Sequence, residues 1–305
     1  MPSTSQTTVQ PAAAIWPGLL LAVLGAVGFS GKAIIVKLAY RYGVDAITLI
    51  MYRMLFALPL FVALAWWSSR GKPALAPRDW MGVVGLGFTG YYLASFLDFL
   101  GLAYISASLE RLILYMNPTI VMLLGWLMYR RSVRPMQMAG MAISYGGVML
   151  VFGLELQSQG ADAALGALLV LGSALSYALY LVYSGELVRR LGSMRLVGLA
   201  STVACVFCVA QFLLLRPIGA AVVAPEVIWL SLLNASLCTV MPVLLVMMAI
   251  ERIGAGLASQ SGMVGPMATI ALGALLLDEP FTVWVAAGTA FVIIGIFVFA
   301  KAPRP

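Results

Sequence analysis

The sequence predicts an all-α membrane protein of ten transmembrane helices, built from two inverted five-helix repeats. Composition is the first sign: 63% of residues are hydrophobic and only 10% are charged, far from the balance of a soluble domain. The second is a nearly unbroken succession of apolar runs, each of the roughly 20 residues that a bilayer span needs. The third is an internal repeat. An offset of 148 residues places Pro118 on Pro266, Gly125 on Gly273, Gly140 on Gly288, Gly147 on Gly295 and Gly18 on Gly166. Ile105, Ala107 and Leu109 fall likewise on Ile253, Ala255 and Leu257. With an odd number of spans per copy, the two copies enter the membrane in opposite orientations.

The first copy, residues 17–153, is read as helices near 19–40, 46–67, 80–102, 105–129 and 136–152. The second, residues 163–301, gives 165–188, 196–215, 228–250, 255–277 and 281–300. Turn formers and charges punctuate them: Gly71, Pro73 and Pro77, then Arg134 and Pro135, Gly192, Pro217, Pro225 and Pro280. Residues 1–16 are expected to form a flexible cytoplasmic tail. They carry no basic leader, and the apolar run behind them is too long for a signal-peptide core, so the first helix is expected to be retained.

Lys and Arg gather in cytoplasmic loops. With both termini cytoplasmic, the inner segments hold Arg70, Lys72, Arg78, Arg130, Arg131, Arg134, Arg189, Arg190, Arg195, Arg252, Lys301 and Arg304. The outer loops hold only Arg41 and Arg216. The net charge of +7 is thus a topology signal reinforced by anionic inner-leaflet lipid, with no nucleic-acid partner implied. The location expected is a bacterial-type inner membrane.

Histidine is absent, which removes imidazole-dependent catalysis and makes zinc sites unexpected. Cys205 and Cys208 form a Cys-x-x-Cys pair and Cys238 stands alone, all inside expected spans; in lipid such residues read as small buried apolar side chains. No phosphate-binding loop appears, and neither cofactor nor metal is expected.

Ionisable residues in a span are costly and usually face the bundle interior. The candidates are Lys32 and Lys37 in the first span, Arg53 in the second, Asp98 in the third, and Glu110 and Arg111 in the fourth, all in the first copy. At the repeat offset Lys32, Arg53 and Glu110 meet Tyr180, Ser201 and Ala258, so the copies share a shape and differ in chemistry. Lys37 is close enough to the surface to anchor in headgroups. Lys32 lies deeper and reads as either substrate-facing or ion-paired. Arg53 reads as scaffolding, paired with a carbonyl or carboxylate. Asp98 reads as a salt-bridge partner of Arg111 or Lys37. Glu110 stays open between an ion pair and a proton carrier, and Asp98 is the second candidate for proton coupling.

Uncharged polar and aromatic residues supply a binding surface. Ser173, Tyr177, Tyr180 and Ser184 recur on one helical face, as do Tyr92, Ser95 and Phe99 in the third span. The fourth offers Ser108, Tyr115 and Asn117; the eighth, Asn234 and Thr239; the ninth, Ser259, Gln260 and Ser261. Each stripe alone is also what ordinary helix packing produces. Pro118 and Pro266 each remove a backbone donor within a span, predicting matched bends beside a cavity. Gly140, Gly146, Gly147, Gly288 and Gly295 read as close helix packing, between halves or between protomers.

Two segments carry a family resemblance. LLLDEPFTVWVAAGTAFVIIG, residues 275–295, resembles the end of a domain in the EamA branch of the drug/metabolite transporter superfamily, with its acidic-proline turn and two spaced glycines. GLAYISASLERLILYMNPTIVMLLG, residues 101–125, is similar to the third-to-fourth helix stretch of the other copy. In the first copy Arg130, Arg131 and Ser132 stand where the second has Asp278, Glu279 and Pro280, which suits an inner turn in the inverted topology. The resemblance implies a cavity lined by the third, fourth, eighth and ninth helices, with the first and sixth, and export of amino acids or small metabolites by alternating access. The substrate-binding set expected is Lys32, Tyr92, Ser95, Phe99, Ser108, Tyr115, Asn117, Tyr177, Tyr180, Asn234 and Gln260. The partners expected are a small-molecule substrate and membrane lipid. A broad-specificity exporter of lipophilic cations on the same fold is the nearest alternative. A lipid-modifying membrane enzyme is a more distant one, since no catalytic constellation appears.

Overall fold

The computed structural model describes residues 12–129, 135–159, 161–246, 248–249, 252–253 and 264–301, and among the described residues there is no strand. In hydrocarbon each backbone donor and acceptor must be satisfied within its own segment, which a helix does. The helices are α1 (Ala12–Tyr40), α2 (Ala46–Ser69), α3 (Pro77–Leu102), α4 in two pieces (Ala107–Leu114 and Asn117–Tyr129) and α5 (Pro135–Gln159). The second copy supplies α6 (Ala161–Leu191), α7 (Ser193–Leu215), α8 (Pro225–Val246), α9 (Val264–Leu276) and α10 (Val283–Lys301). Eight of them are long and apolar enough to cross a bilayer; α9 and α10 add shorter apolar stretches, Met267–Leu276 and Val283–Gly295.

Several boundaries differ from expectation for local reasons. α1 starts at Ala12, inside the expected tail, because consecutive alanines favour helix. α5 runs past its apolar core to Gln159 and α6 starts already at Ala161, since no proline interrupts residues 153–164. α4 breaks after Leu114, four residues before Pro118. A proline ring at that position collides with the carbonyl four residues back and leaves it without a donor. Pro266 lies in the first turn of the described part of α9; residues 254–263 fall outside the described ones.

The repeat is visible as reciprocal contacts. A Cβ built on Gly147 would lie 2.5 Å from the Gly288 carbonyl oxygen, and one on Gly295 would lie 2.5 Å from that of Gly140. These two contacts exchange under the 148-residue offset, so α5 and α10 cross on a pseudo-two-fold axis. Their glycines therefore serve packing within the chain, between its halves. Gly18 against Ile253 and Gly166 against Ile105 form a second exchanging pair. Helix pairings follow the same rule: α1 packs on α9 and α8 as α6 packs on α4 and α3, while α2 packs on α7. Five spans per copy make the related helices antiparallel, which places the axis in the membrane plane.

A feature absent from the expected reading also repeats. α3 widens into a π-helical segment at Gly87–Leu93, and α8 does so at Ser236–Val240. At the offset the second falls inside the first. The Thr239 hydroxyl donates to the Asn234 carbonyl five residues back, a spacing that suits the wider turn.

Exposed aromatic and aliphatic side chains cover the outside. All seven tryptophans, Trp16, Trp66, Trp67, Trp80, Trp126, Trp229 and Trp284, are exposed and lie close to helix ends, an aromatic belt at each interface. One end of the bundle carries Asp45, Glu226, Asp278 and Glu279; the other carries Arg70, Lys72, Arg78, Arg189, Arg190 and Arg195. We call them the acidic and basic ends.

Polar contacts tie the copies together at both. At the acidic end Asp45 caps α2 through Ile47 N (3.0 Å) and Thr48 N (3.3 Å) and meets Arg216 at 3.1 Å. Burial works to raise the Asp45 pKa; the Thr48 hydrogen bonds and the Arg216 charge outweigh it and hold the carboxyl below its ordinary value. Glu279 caps α4: its carboxylate accepts from Ala107 N (2.7 Å), Ser108 N (3.3 Å) and the Ser108 hydroxyl (2.8 Å). Arg41 donates to the Leu277 carbonyl at 3.0 Å. At the basic end Arg190 meets Asp79 at 2.8 Å, and Arg195 donates to Ser69 and to the Pro73 carbonyl.

Gly147→Ala is expected to destabilise the fold by about 1–3 kcal/mol through overpacking, whereas Gly146→Ala, with nothing within 4 Å of the added carbon, should be neutral or stabilising; unfolding in detergent measures both. Glu279→Ala should cost about 1 kcal/mol in the same assay, the worth of a helix cap.

Candidate functional site

Lys32, Asp98 and Glu110 meet inside the bundle in its acidic half. Lys32 lies two turns before the end of α1, Asp98 one turn before the end of α3, and Glu110 in the first turn of α4. The short turn between α3 and α4 brings the two carboxylates side by side. Gly31 lets α8 approach α1 at the same level, since a Cβ there would lie 2.9 Å from the Cys238 sulfur.

The Lys32 ammonium reaches both carboxylates, at 2.5 Å from Asp98 Oδ2 and 3.3 Å from Glu110 Oε1. Arg111 Nε lies 3.9 Å from Glu110 Oε2, and its Nη2 donates to the Phe29 carbonyl at 2.9 Å. Glu110 is fully buried and Asp98 nearly so. Asp98 Oδ1 and both Glu110 oxygens lack a hydrogen-bond partner; the contact from Lys32 to Glu110 is an ion pair without hydrogen-bond geometry. Buried carboxylates with spare acceptor capacity are costly unless something else fills them.

This arrangement corrects two expectations. Asp98 pairs with Lys32, the one ammonium long enough to span from α1 to α3 at that depth, and not with Arg111 or Lys37. Arg53 finds neither carbonyl nor carboxylate. Its guanidinium lies 4.6 Å over the Phe99 ring, Nη2 is 4.0 Å from the Met54 sulfur, and Nε has no partner. Phe99 occupies the residue position beside Asp98, so the ring takes the face of α3 that Arg53 meets.

The remaining expected residues are dispersed. Tyr115 lies where α4 meets α9 and α1: its hydroxyl would be 2.7 Å from a Cβ on Gly265, and the Ser30 hydroxyl donates to the Gly265 carbonyl at 2.7 Å. Asn117, just after the break in α4, and Asn234, fully buried on α8, both have unpartnered amide atoms. Ser95 is half-buried on α3. Tyr92 packs with Phe88, Phe96 and Phe207. Tyr177 and Tyr180 stack on each other, and the Tyr180 hydroxyl meets that of Tyr91 at 3.1 Å. Those tyrosines pack with Leu191 and Leu196, toward the basic end. Ser108 is held by Glu279. Gln260, with Ser259 and Ser261, lies outside the described residues.

Sequence reasoning missed Tyr91, Phe207 and the cap made by Glu279. Tyr91 falls out of the i, i+3, i+4 stripe that marked Tyr92, because the π-helical turn shifts the register. Glu279 stood out only as part of a turn motif; its target in α4 is remote in sequence.

Two inverted copies of five helices that bury ion pairs in their interior define a multi-pass membrane transporter of the repeat type. The chain belongs to the EamA-like transporter family, which matches residues 16–153 and again 164–301. It is 32% identical to the uncharacterized transporter YcbK of Bacillus subtilis strain 168, over 92% of this chain and 90% of that one. It is 22% identical to an uncharacterized transporter of Archaeoglobus fulgidus, over 92% and 96% of the two chains. A solved crystal structure shares the fold, with a TM-score of 0.64 at 16% identity over 93% of this chain and 98% of the other.

Removing Lys32 alone should cost about 3–5 kcal/mol, because Lys32→Met leaves two buried carboxylates facing each other. Adding Glu110→Gln should recover part of that loss. A double-mutant cycle on unfolding in detergent tests this; strictly additive penalties would show that the two groups are not coupled.

Proposed function

We propose that the protein is a secondary transporter that exports amino acids or related small metabolites by alternating access. The basic end faces the cytoplasm of a bacterial-type inner membrane, and both chain termini lie on that side. The supporting observation is the Lys32 bridge. A lysine held between two membrane-buried carboxylates, with three carboxylate oxygens lacking a hydrogen bond, is a poor structural element and a good receptor. A substrate ammonium completes the acceptors on Asp98 and Glu110 beside the Lys32 ammonium. Ion pairs of this kind inside spans mark substrate or proton paths. Glu110 doubles as the candidate proton carrier.

The paired carboxylates also favour a second reading, export of lipophilic cations. The two separate in one experiment. In sealed proteoliposomes, unlabelled amino acids should compete for flux while cationic dyes should not. Glu110→Gln should reduce flux by about tenfold to a hundredfold, the worth of one or two charged hydrogen bonds. A Glu110→Gln protein that keeps its full pH-dependent flux removes the proton-carrier role. Competition by dyes alone would transfer the site to the cation reading, and turnover of lipid in detergent without vesicles would replace both with an enzyme.

A further inference from the structure

We infer that Arg53 is a receptor for the carboxylate of the transported solute. This rests on the transporter reading and names the chemical class of its cargo. Arg53 is 3% exposed on α2, and a guanidinium cannot shed its proton at any working pH. A buried charge of that kind needs a counter-ion. Among the described residues no carboxylate lies within ion-pair distance of it, and Lys32 already holds Asp98, whose charge acts on Arg53 only from farther away. The rest of its surroundings are the Phe99 face, the Met54 sulfur and the thiols of Cys205, Cys208 and Cys238, none of which is an anion. Phe99 covers one face of the guanidinium, and Nε on its edge has no partner.

The charges of the whole cluster point the same way. Among the described residues of this cluster, the cations Lys32, Arg53 and Arg111 outnumber the carboxylates Asp98 and Glu110 by one. A monocarboxylate cancels that excess. A zwitterion leaves that total unchanged and pairs Arg53 locally, with its ammonium toward the Asp98 and Glu110 carboxylates and its carboxylate on the fork of Arg53, a geometry that guanidinium and carboxylate match in two parallel bonds. An inorganic halide could supply the same charge, though without the two-point fit.

Thermal unfolding of the full chain in detergent tests the site without any transport. Sodium acetate and glycine should raise the melting temperature of the native protein, whereas sodium chloride and ethylammonium chloride at the same ionic strength should not. Arg53→Gln should lose the acetate shift, and Gly146→Ala, where an added carbon meets nothing within 4 Å, should keep it. Arg53→Lys covers the case in which the glutamine variant fails to fold: it retains the charge, loses the fork, and should raise the KM for a transported amino acid about tenfold with kcat little changed. A chloride shift equal to that of acetate would make this a halide site and overturn the inference. So would an acetate shift that survives Arg53→Gln, or none in the native protein. An acetate shift with no amino-acid flux would keep the anion receptor and remove the exporter reading instead.

Discussion

No water reaches the middle of a bilayer, and every feature of this bundle answers to that constraint. Backbone groups must pair within their own helix, so the described chain is helical almost throughout. Apolar association gives nothing between helices already surrounded by hydrocarbon, so contact depends on how closely backbones approach. That is why glycine marks the crossing of α5 and α10. The same constraint gathers charge. Lys32, Asp98 and Glu110 lie on three helices, and the ammonium takes both carboxylates because each alternative leaves a buried ion unpaired.

Shape and chemistry have separated in the two copies. Packing contacts exchange under the 148-residue offset, and so do the π-helical segments of α3 and α8. The charges deep in the spans do not: Lys32, Arg53, Asp98, Glu110 and Arg111 all belong to the first copy, and Lys32 maps to Tyr180. The turns diverge as well. Glu279, which caps α4, corresponds to Arg131, and a guanidinium has no acceptor with which to cap a helix N-terminus. The tie that Glu279 makes at the acidic end is therefore one that Arg131 cannot reproduce.

Spans, repeat and turn positions were legible because hydropathy, proline and glycine act on the chain locally. Pro118 pointed to the break in α4 for the same reason, since its steric conflict is with a carbonyl only four residues away. Residue types at the site were legible too, because charge inside a span is conspicuous against lipid. Their partners were not. Whether Asp98 meets Lys32, Lys37 or Arg111 depends on how α1 rotates against α3, which no local pattern records. Arg53 was misjudged by the assumption that a buried cation has a partner within its own chain. The tyrosines of α3 and α6 were grouped with the charges by helical spacing, but the π-helical turn in α3 re-aims one of them and the group lies toward the other end.

Arg53 differs from the other buried charges in where it is anchored. α2 and α7 pair across the repeat axis, as α5 and α10 do, and helices that meet their own repeat partners form the seams between the halves. Lys32, Asp98, Glu110 and Arg111 lie on α1, α3 and α4, off those seams. Arg53 lies on a seam and reaches the cluster only through Phe99. A solute held between Arg53 and the Asp98–Glu110 pair would thus bridge a seam helix and the helices around it. Occupancy of the site would then bear directly on how the halves move against each other, which is the coupling that alternating access requires.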